Sequence, residues 1–128
     1  MLFRSGAGAG PDFPGASAVH THMTNTRITD PEILESRYPV VLETFAVRTG
    51  SGGAGYHPGG DGLVRRYRFL RPVTATLLCE RRTVAPFGLE GGDSGSPGRN
   101  RVEPPDGTPR ELPGRCRIDL AQIGRAHV

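Results

Sequence analysis

Two histidines, His20 and His22, are the residues of this sequence best suited to chemistry. Residues two apart on a β-strand project to the same side, so both imidazoles can address one site if residues 19–26 begin as a strand. A neutral imidazole transfers protons near pH 7 or binds a metal. No further ligands follow at a spacing typical of a metal site. The alternative is a structural pair whose ring nitrogens bond backbone carbonyls.

Polar residues continue the segment after the histidines. The side chains of Asn25 and Thr26 can hydrogen-bond a polar substrate. The guanidinium of Arg27 presents parallel donors that match a carboxylate or a phosphate. The structural alternative for Arg27 is an ion pair with Glu32 or another nearby acid. The sequence therefore marks residues 20–27 as a candidate site, with both interpretations open.

Two short motifs favour a structural interpretation. Residues 50–55 match G-x-G-x-x-G, but a dinucleotide site needs a helix directly after that loop, and Pro58 with its neighbouring glycines prevents one. We expect a flexible connection between strands there. Residues 92–95, Gly-Asp-Ser-Gly, are similar to the nucleophile segment of chymotrypsin-like proteases. The chain is too short for their two-barrel scaffold and lacks a matching histidine segment, so a turn is the better interpretation.

One short helix is predicted directly after the candidate site. Either Thr29 or Asp30 caps it, and in the second case Pro31 takes the first helical position. Because Pro39 disfavours helical backbone at the preceding residue, the helix cannot continue past Tyr38.

The other elements are strands separated by long glycine-rich loops. Residues 63–69 alternate apolar residues with arginine, which is typical of a half-buried strand, although Arg65 shares the apolar face with Leu63. The predicted fold class is therefore mostly β with one short helix. The predicted strands are 40–48, 63–69, 73–79 and 115–120, and the predicted long loops are 50–62 and 88–98.

Composition predicts a small domain with a thin core. The chain has 128 residues, of which 19 are glycine and 12 are proline, and these residues interrupt every long apolar run. A core this thin is marginal unless other parts of a protein cover its open faces and edges. We therefore expect a fragment of a larger α/β enzyme.

Charge, hydropathy and cysteine usage indicate which classes of partner to expect. The 16 basic residues are all arginine, and they are scattered among 13 acidic residues rather than clustered, so we expect no nucleic-acid partner. No apolar stretch approaches about 18 residues, so we expect no membrane partner and a cytoplasmic location. Cys79 and Cys116 lie far apart, form no metal-type pair and are expected to stay reduced.

The two ends differ in character from the sequence between them. On reverse translation, residues 1–5 and 122–128 are compatible with the two arms of a common sequencing adapter. We therefore expect these ends to be artefacts and the domain to comprise residues 6–121.

One long segment of the sequence and several short ones resemble the hydantoinase B/oxoprolinase family. Within that family, they resemble the branch of ATP-dependent 5-oxoprolinases. The resemblance covers nearly all of residues 6–121 and corresponds to the C-terminal part of such a domain. The residues that carry it are Val19–Pro39, Gly50–Gly55, Gly59–Gly62, Glu80–Arg82, Pro86–Leu89, Gly91–Gly92, Pro97–Gly98, Asn100 and Leu112–Gly114.

The resemblance implies a reaction in which ATP activates a cyclic amide and water then opens 5-oxoproline to glutamate. It implies catalytic roles for His20 and His22 and substrate-binding roles for Asn25, Thr26 and Arg27. ATP and a divalent metal are implied for the complete enzyme. No cofactor-binding residue is assigned to this fragment, and its metal ligands are unknown. The implied partners are a small cyclic amide and an ATP-binding hydantoinase A-type half, either fused or as a separate polypeptide.

The resemblance leaves alternatives. The chain can instead come from a hydantoinase of the B type that acts on hydantoin-like rings as a separate subunit. It can also be a non-catalytic β-rich scaffold or interface module, in which case His20 and His22 are structural. Under the enzyme hypothesis, we expect the fragment to be inactive by itself because it offers no phosphate-binding element.

Overall fold

The structure, a computed structural model, describes residues 6–21, 27–105, 107–120 and 125–127. Those residues form one helix and seven strands, which confirms the mostly-β prediction. None of the described helices is long and apolar enough to span a membrane. The elements are α1 (Pro31–Arg37), β1 (Val40–Arg48), β2 (Gly62–Phe69), β3 (Val73–Leu78), β4 (Asn100–Glu103), β5 (Arg110–Leu112), β6 (Arg115–Leu120) and β7 (Arg125–His127).

Helix α1 begins and ends as the sequence predicts. Asp30 is the N-cap, because its Oδ1 accepts a hydrogen bond of 2.9 Å from the Glu32 amide, and Pro31 is the first helical residue. The helix also holds the first strand in place. The carboxylate of Glu35 accepts a 2.7 Å hydrogen bond from the amide of Leu42 in β1.

Two sheets build the fold. A five-stranded sheet has the order β1-β2-β7-β4-β5, and β3 pairs with β6 in a separate two-stranded sheet. All of these strand pairs are antiparallel. The four predicted strands correspond to β1, β2, β3 and β6. Strands β4 and β5 were not predicted because they are short and rich in charge, and β7 lies in the adapter-like end, where it pairs through its backbone.

The segment before the helix differs from the prediction. Residues 19–21 form no strand. Ala18 has a φ of 58°, which interrupts an extended backbone, and its amide donates to the Asp61 carbonyl at 2.8 Å. His20 is therefore not in a strand, so the structure does not support the prediction that His20 and His22 lie on one face of a strand.

A β-bulge at Glu43 sets which residues of β1 face the core. Leu42 pairs with Tyr67 and Thr44 with Arg66, so Glu43 is the extra residue. Beyond the bulge, Phe45 lies on the same face of the sheet as Leu42, although it is outside the core and 47% exposed. Without the extra residue, Phe45 would lie on the opposite face of the sheet.

The core lies between the two sheets and is thin, as predicted. Val102 is 1% exposed and is the most deeply buried apolar residue of the main cluster. A smaller cluster forms around Leu77 and Cys79, with Cys116 packed against it. Both cysteines are free in the structure. The main cluster comprises Val40, Tyr67, Phe69, Val102, Leu120 and Ala126.

Candidate functional site

Three glycine-rich segments pack backbone against backbone and form a layer that we call the glycine platform. The amide of Gly60 donates to the Ala7 carbonyl at 2.9 Å, and the amide of Asp93 donates to the Ala54 carbonyl at 2.8 Å. These approaches leave no room for side chains, because a Cβ on Gly53 would lie 2.1 Å from the Asp93 carbonyl oxygen. The segments of the platform are residues 6–18, 50–62 and 86–98.

Asp61 fastens the part of the platform that matches G-x-G-x-x-G. Its two carboxylate oxygens accept hydrogen bonds from the amide of Gly52 at 2.8 Å and from the amide of Gly50 at 3.2 Å. These bonds, the one from Gly52 first, hold the pKa of Asp61 below its ordinary value. The loop connects strands β1 and β2, as expected, and hydrogen bonds to Asp61 hold its first residues. Its first amides already bind an internal carboxylate, and β2 follows it rather than a helix.

A cleft of about 1070 Å³ opens over the glycine platform. Its lining is strongly basic, because five arginines and only two carboxylates, those of Asp93 and Glu111, are among the described residues that line it. Such a surface favours an anionic ligand. The arginines are Arg48, Arg81, Arg82, Arg99 and Arg101.

Two of these arginines are held by other side chains. Arg82 donates from Nε to Oδ1 of the buried Asn100 at 3.0 Å, and its guanidinium occupies the space that a side chain on Gly98 would need. Arg101 forms an ion pair of 3.3 Å with Glu111. These contacts fix the cleft walls and partly neutralise them.

Arg48 and Arg81 are held by a backbone carbonyl and an aromatic ring, respectively. Arg48 donates to the Pro97 carbonyl at 2.8 Å. Arg81 lies over the ring of Phe87, with 5.7 Å between the guanidinium carbon and the ring centroid. Arg99 is exposed and makes no hydrogen bond or ion pair with a described residue. Its guanidinium is therefore the most available of the five for a ligand.

The predicted site residues are only partly within the described structure. Thr21 lines the cleft, and the adjacent His20 is half-buried with its Nε2 atom shielded from solvent. Arg27 is exposed and does not line the cleft. Its alternative ion pair with Glu32 is not formed among the described residues. The other three predicted residues, His22, Asn25 and Thr26, lie outside the described residues.

His57 is a cleft residue that the sequence analysis did not single out. It is half-buried, lines the cleft and meets Tyr56 edge-to-face, with 4.7 Å between the ring centroids. A histidine within a long glycine-rich run was the available signal. It was missed because only folding brings that run and Thr21 to one cleft.

The Gly-Asp-Ser-Gly segment has a structural role. The predicted turn lies just before the motif, at residues 89–92. Glu90 and Gly91 have φ values of 50° and 83°, and the Gly92 amide donates to the Leu89 carbonyl at 2.9 Å. Ser94 follows in segment 86–98 of the glycine platform, where it is exposed and lies outside any helix or strand. The turn is displaced because two positive φ values reverse the chain before the motif begins.

The implied metal and nucleotide find no matching site among the described residues. No three histidine, cysteine or acidic side chains converge there. The loop amides that resemble a phosphate site bind Asp61 instead. The described residues therefore contain no cluster that would hold a metal ion, and the G-x-G-x-x-G loop does not offer these amides to a nucleotide phosphate.

Comparison with known proteins gives consistent matches. The family model described as hydantoinase B/oxoprolinase matches residues 1–127. The chain is 57% identical to 5-oxoprolinase 1 of Arabidopsis thaliana over 95 residues, which are 74% of this chain and 8% of that protein. It is 56% identical to the 5-oxoprolinase of Dictyostelium discoideum over 76% of this chain and 8% of that protein.

A more distant match is the B-type subunit of a putative D-/L-hydantoinase from a Pseudomonas species, with 31% identity over 63% of this chain and 14% of that protein. No solved structure matches the chain. The chain spans less than a tenth of the length of the 5-oxoprolinases that it matches. The match to the family model nevertheless extends over almost every residue, and the chain belongs to the hydantoinase B/oxoprolinase family.

Proposed function

We propose that this chain is part of an ATP-dependent enzyme that opens 5-oxoproline to glutamate. The observation that carries the proposal is its 56–57% identity to 5-oxoprolinases. The identity to the hydantoinase relative is only 31%. The small cyclic amide is the substrate, and the location proposed for the enzyme is the cytoplasm.

The charge of the cleft supports an anionic cyclic amide. 5-Oxoproline carries one carboxylate, and the cleft lining has five arginines against two acids. A guanidinium binds a carboxylate through two parallel hydrogen bonds. Arg99 is the arginine of the cleft best placed for this contact, because it has no hydrogen-bond or ion-pair partner among the described residues.

Ring opening needs a group that moves protons. Water adds to the amide carbonyl carbon, the bond from that carbon to nitrogen breaks, and the nitrogen takes up a proton to become the amine of glutamate. His20 and His22 are the proposed proton-transfer residues, and Thr21 between them lines the cleft. His57, in segment 50–62 of the glycine platform, also lines the cleft and is a further candidate. Asn25, Thr26 and Arg27 are the proposed substrate-binding residues.

ATP and a divalent metal belong to the proposal for the complete enzyme only. The described residues contain no cluster for a metal ion, the Gly52 amide binds Asp61, and no step of the chemistry above passes through either group. An ATP-binding hydantoinase A-type half, fused or separate, is the proposed partner. We accordingly propose that the 128-residue chain has no turnover by itself.

Specific observations favour two alternatives. The match to a hydantoinase favours a hydantoin-like ring as substrate. The dense backbone bonding of the glycine platform favours a scaffold role, with the chemistry elsewhere in the protein.

The test uses a complete enzyme that carries this segment. With His22→Ala we expect 5-oxoproline-dependent ATP hydrolysis to fall about 100-fold, as for loss of an acid–base group. The exposed Arg117→Ala is the control and leaves the rate unchanged. Unchanged turnover and stability in His22→Ala would favour the scaffold. Faster turnover of hydantoin than of 5-oxoproline would favour the hydantoinase.

A further inference from the structure

Arg65 is a buried cation in the middle of strand β2. Only 3% of it is exposed, and it lies on the side of the strand that also carries Leu63 and Tyr67. Transfer of a charged group from water to such a position is costly unless an opposite charge compensates it.

Among the described residues, aromatic rings lie next to Arg65, but no carboxylate forms an ion pair with it. Its guanidinium carbon lies 5.0 Å from the ring centroid of Tyr67 and 5.4 Å from that of Phe45. These cation–π contacts offset part of the cost of burial. No carboxylate of a described residue is within ion-pair distance, and the buried Nε atom has no hydrogen-bond partner. Burial lowers the pKa of Arg65.

The other arginines of the same strand show the contrast. Arg66 and Arg68 project from the opposite face of β2, where both pair with Glu43 at 3.9 and 3.2 Å. Arg66 also pairs with Glu103 at 3.3 Å. The two more exposed arginines of β2 therefore form ion pairs with carboxylates, whereas no described carboxylate pairs with the buried Arg65.

Two apolar side chains beside Arg65 are open to solvent. Phe45 and Val47 are 47% and 46% exposed, and they lie on β1, the outermost strand of the five-stranded sheet. Phe45 is paired directly with Arg65 across the two strands, and Val47 with Leu63. The result is an apolar patch around one uncompensated positive charge.

We propose that Phe45, Val47 and Arg65 form a docking surface for another segment of the full-length protein, one that carries a carboxylate between apolar residues. The carboxylate would bind the Arg65 guanidinium, and its apolar neighbours would cover Phe45 and Val47. Two observations favour a protein segment over a small anion. The exposed neighbours of Arg65 are apolar, and this chain spans only 8% of the related 5-oxoprolinases, which leaves most of the protein to supply the segment.

The surface differs from the proposed substrate cleft. None of its three residues lines the cleft, and the proposal does not depend on which cyclic amide is the substrate. Its failure and that of the proposed function are therefore separate results.

The experiment places a reporter thiol at Phe45. Phe45→Cys is made in the complete enzyme, and its alkylation rate is read by peptide mass spectrometry, which separates it from Cys79 and Cys116. The rate is measured in the native enzyme and again after unfolding in denaturant. Phe45 is 47% exposed without a partner, so we expect alkylation at least about 100-fold slower in the native enzyme only if another segment covers it. Equal rates in the two states would overturn the proposal.

The contribution of Arg65 is measured with the same reporter. Arg65→Met keeps most of the side-chain volume and removes the charge, and we expect it to speed alkylation in the complete enzyme about tenfold or more. Arg65→Lys keeps the charge and should have a smaller effect. Arg68→Met on the opposite face is the matched control and should leave the rate unchanged.

Two further outcomes would also overturn the proposal. If alkylation remains equally slow in the Arg65→Met and Arg65→Lys variants, no carboxylate binds Arg65. Protection that appears only when 5-oxoproline or ATP is added would identify a small anion, rather than a protein segment, as the occupant.

Discussion

Arg82 donates from Nε to Oδ1 of Asn100 at 3.0 Å, and this bond joins two parts of the chain that are 18 residues apart. Asn100 is 1% exposed and also donates from Nδ2 to the Pro113 carbonyl at 3.1 Å. It carries part of the resemblance to the family itself, and it connects two of the other segments that do so, Glu80–Arg82 and Leu112–Gly114. These residues act together to hold the wall of the cleft.

Replacing Asn100 should weaken this wall. We expect Asn100→Ala to lower the free energy of unfolding by about 1–3 kcal/mol, because the Pro113 carbonyl and the half-buried Arg82 guanidinium lose their partner. Denaturant unfolding of the chain measures the change. Thr76→Ala, at an exposed position of β3, is the control and should stay within about 0.5 kcal/mol. Equal effects of the two substitutions would contradict a structural role for Asn100.

The glycine platform predicts a contrast between two glycines. We expect Gly53→Ala to destabilise the chain by about 1–3 kcal/mol, since the new methyl group would meet the Asp93 carbonyl and displace backbone. Gly8→Ala is the matched control, because a Cβ at Gly8 has no atom within 4 Å. Denaturation midpoints of the two variants measure the difference. A tolerated Gly53→Ala would mean that the platform is loosely packed.

Asp61 makes stability depend on pH in a defined direction. Its pKa in the folded chain is below the ordinary 3.8, so its stabilising contribution is complete above that value. The contribution is lost as pH falls through 3.8 towards the lower folded value. We expect Asp61→Asn to lower the thermal midpoint at pH 7, and the deficit to shrink below about pH 4.

The control for Asp61 is Asp12→Asn, at an exposed position in the first segment of the platform. It should leave the midpoint unchanged at both pH values. A deficit of Asp61→Asn that is constant from pH 7 to about pH 3 would show that the carboxylate charge is not what holds the amides of Gly50 and Gly52.

Arg99 should affect substrate binding. In the complete enzyme, we expect Arg99→Ala to raise the KM for 5-oxoproline about tenfold, because a charge-assisted hydrogen bond contributes about 1.5–3 kcal/mol. Steady-state kinetics with Arg117→Ala as the control measure the effect. A fall in kcat at unchanged KM would assign Arg99 to the chemical step instead of substrate binding.

The adapter hypothesis for the two ends is testable with DNA. Long-read sequencing of the source gene should show different codons at residues 1–5 and 122–128. Because β7 pairs with β2 and β4 through its backbone, another sequence with a small apolar residue at the buried position of Ala126 can occupy its place in the sheet. A gene that encodes both ends as they stand would contradict the hypothesis.

Local pattern predicted the elements that depend on neighbouring residues. The Asp30–Pro31 cap, the stop before Pro39 and the alternation of β2 each need only a few consecutive residues, and the structure confirms them. The same alternation already showed Arg65 on the apolar face. The bulge at Glu43 was not predicted, since an extra residue is defined only by its partner strand.

The site depended on contacts between residues far apart in sequence. Asp61 reaches back to Gly50 and Gly52, and the glycine platform brings His57 and Thr21 to one cleft. A high glycine content indicates that backbone segments approach one another closely. Which segments meet is decided only when the separate loops pack together in the fold.

The sequence by itself therefore determined the family, the mostly-β character and the thin core, because periodicity, caps and residue runs are local properties. Tertiary structure alone decided that the G-x-G-x-x-G loop binds Asp61, that arginines from separate segments surround one cleft, and that Arg65 is buried without a described carboxylate. The physical reason is that hydrogen bonding and burial depend on which distant backbones and charges the folded chain brings together.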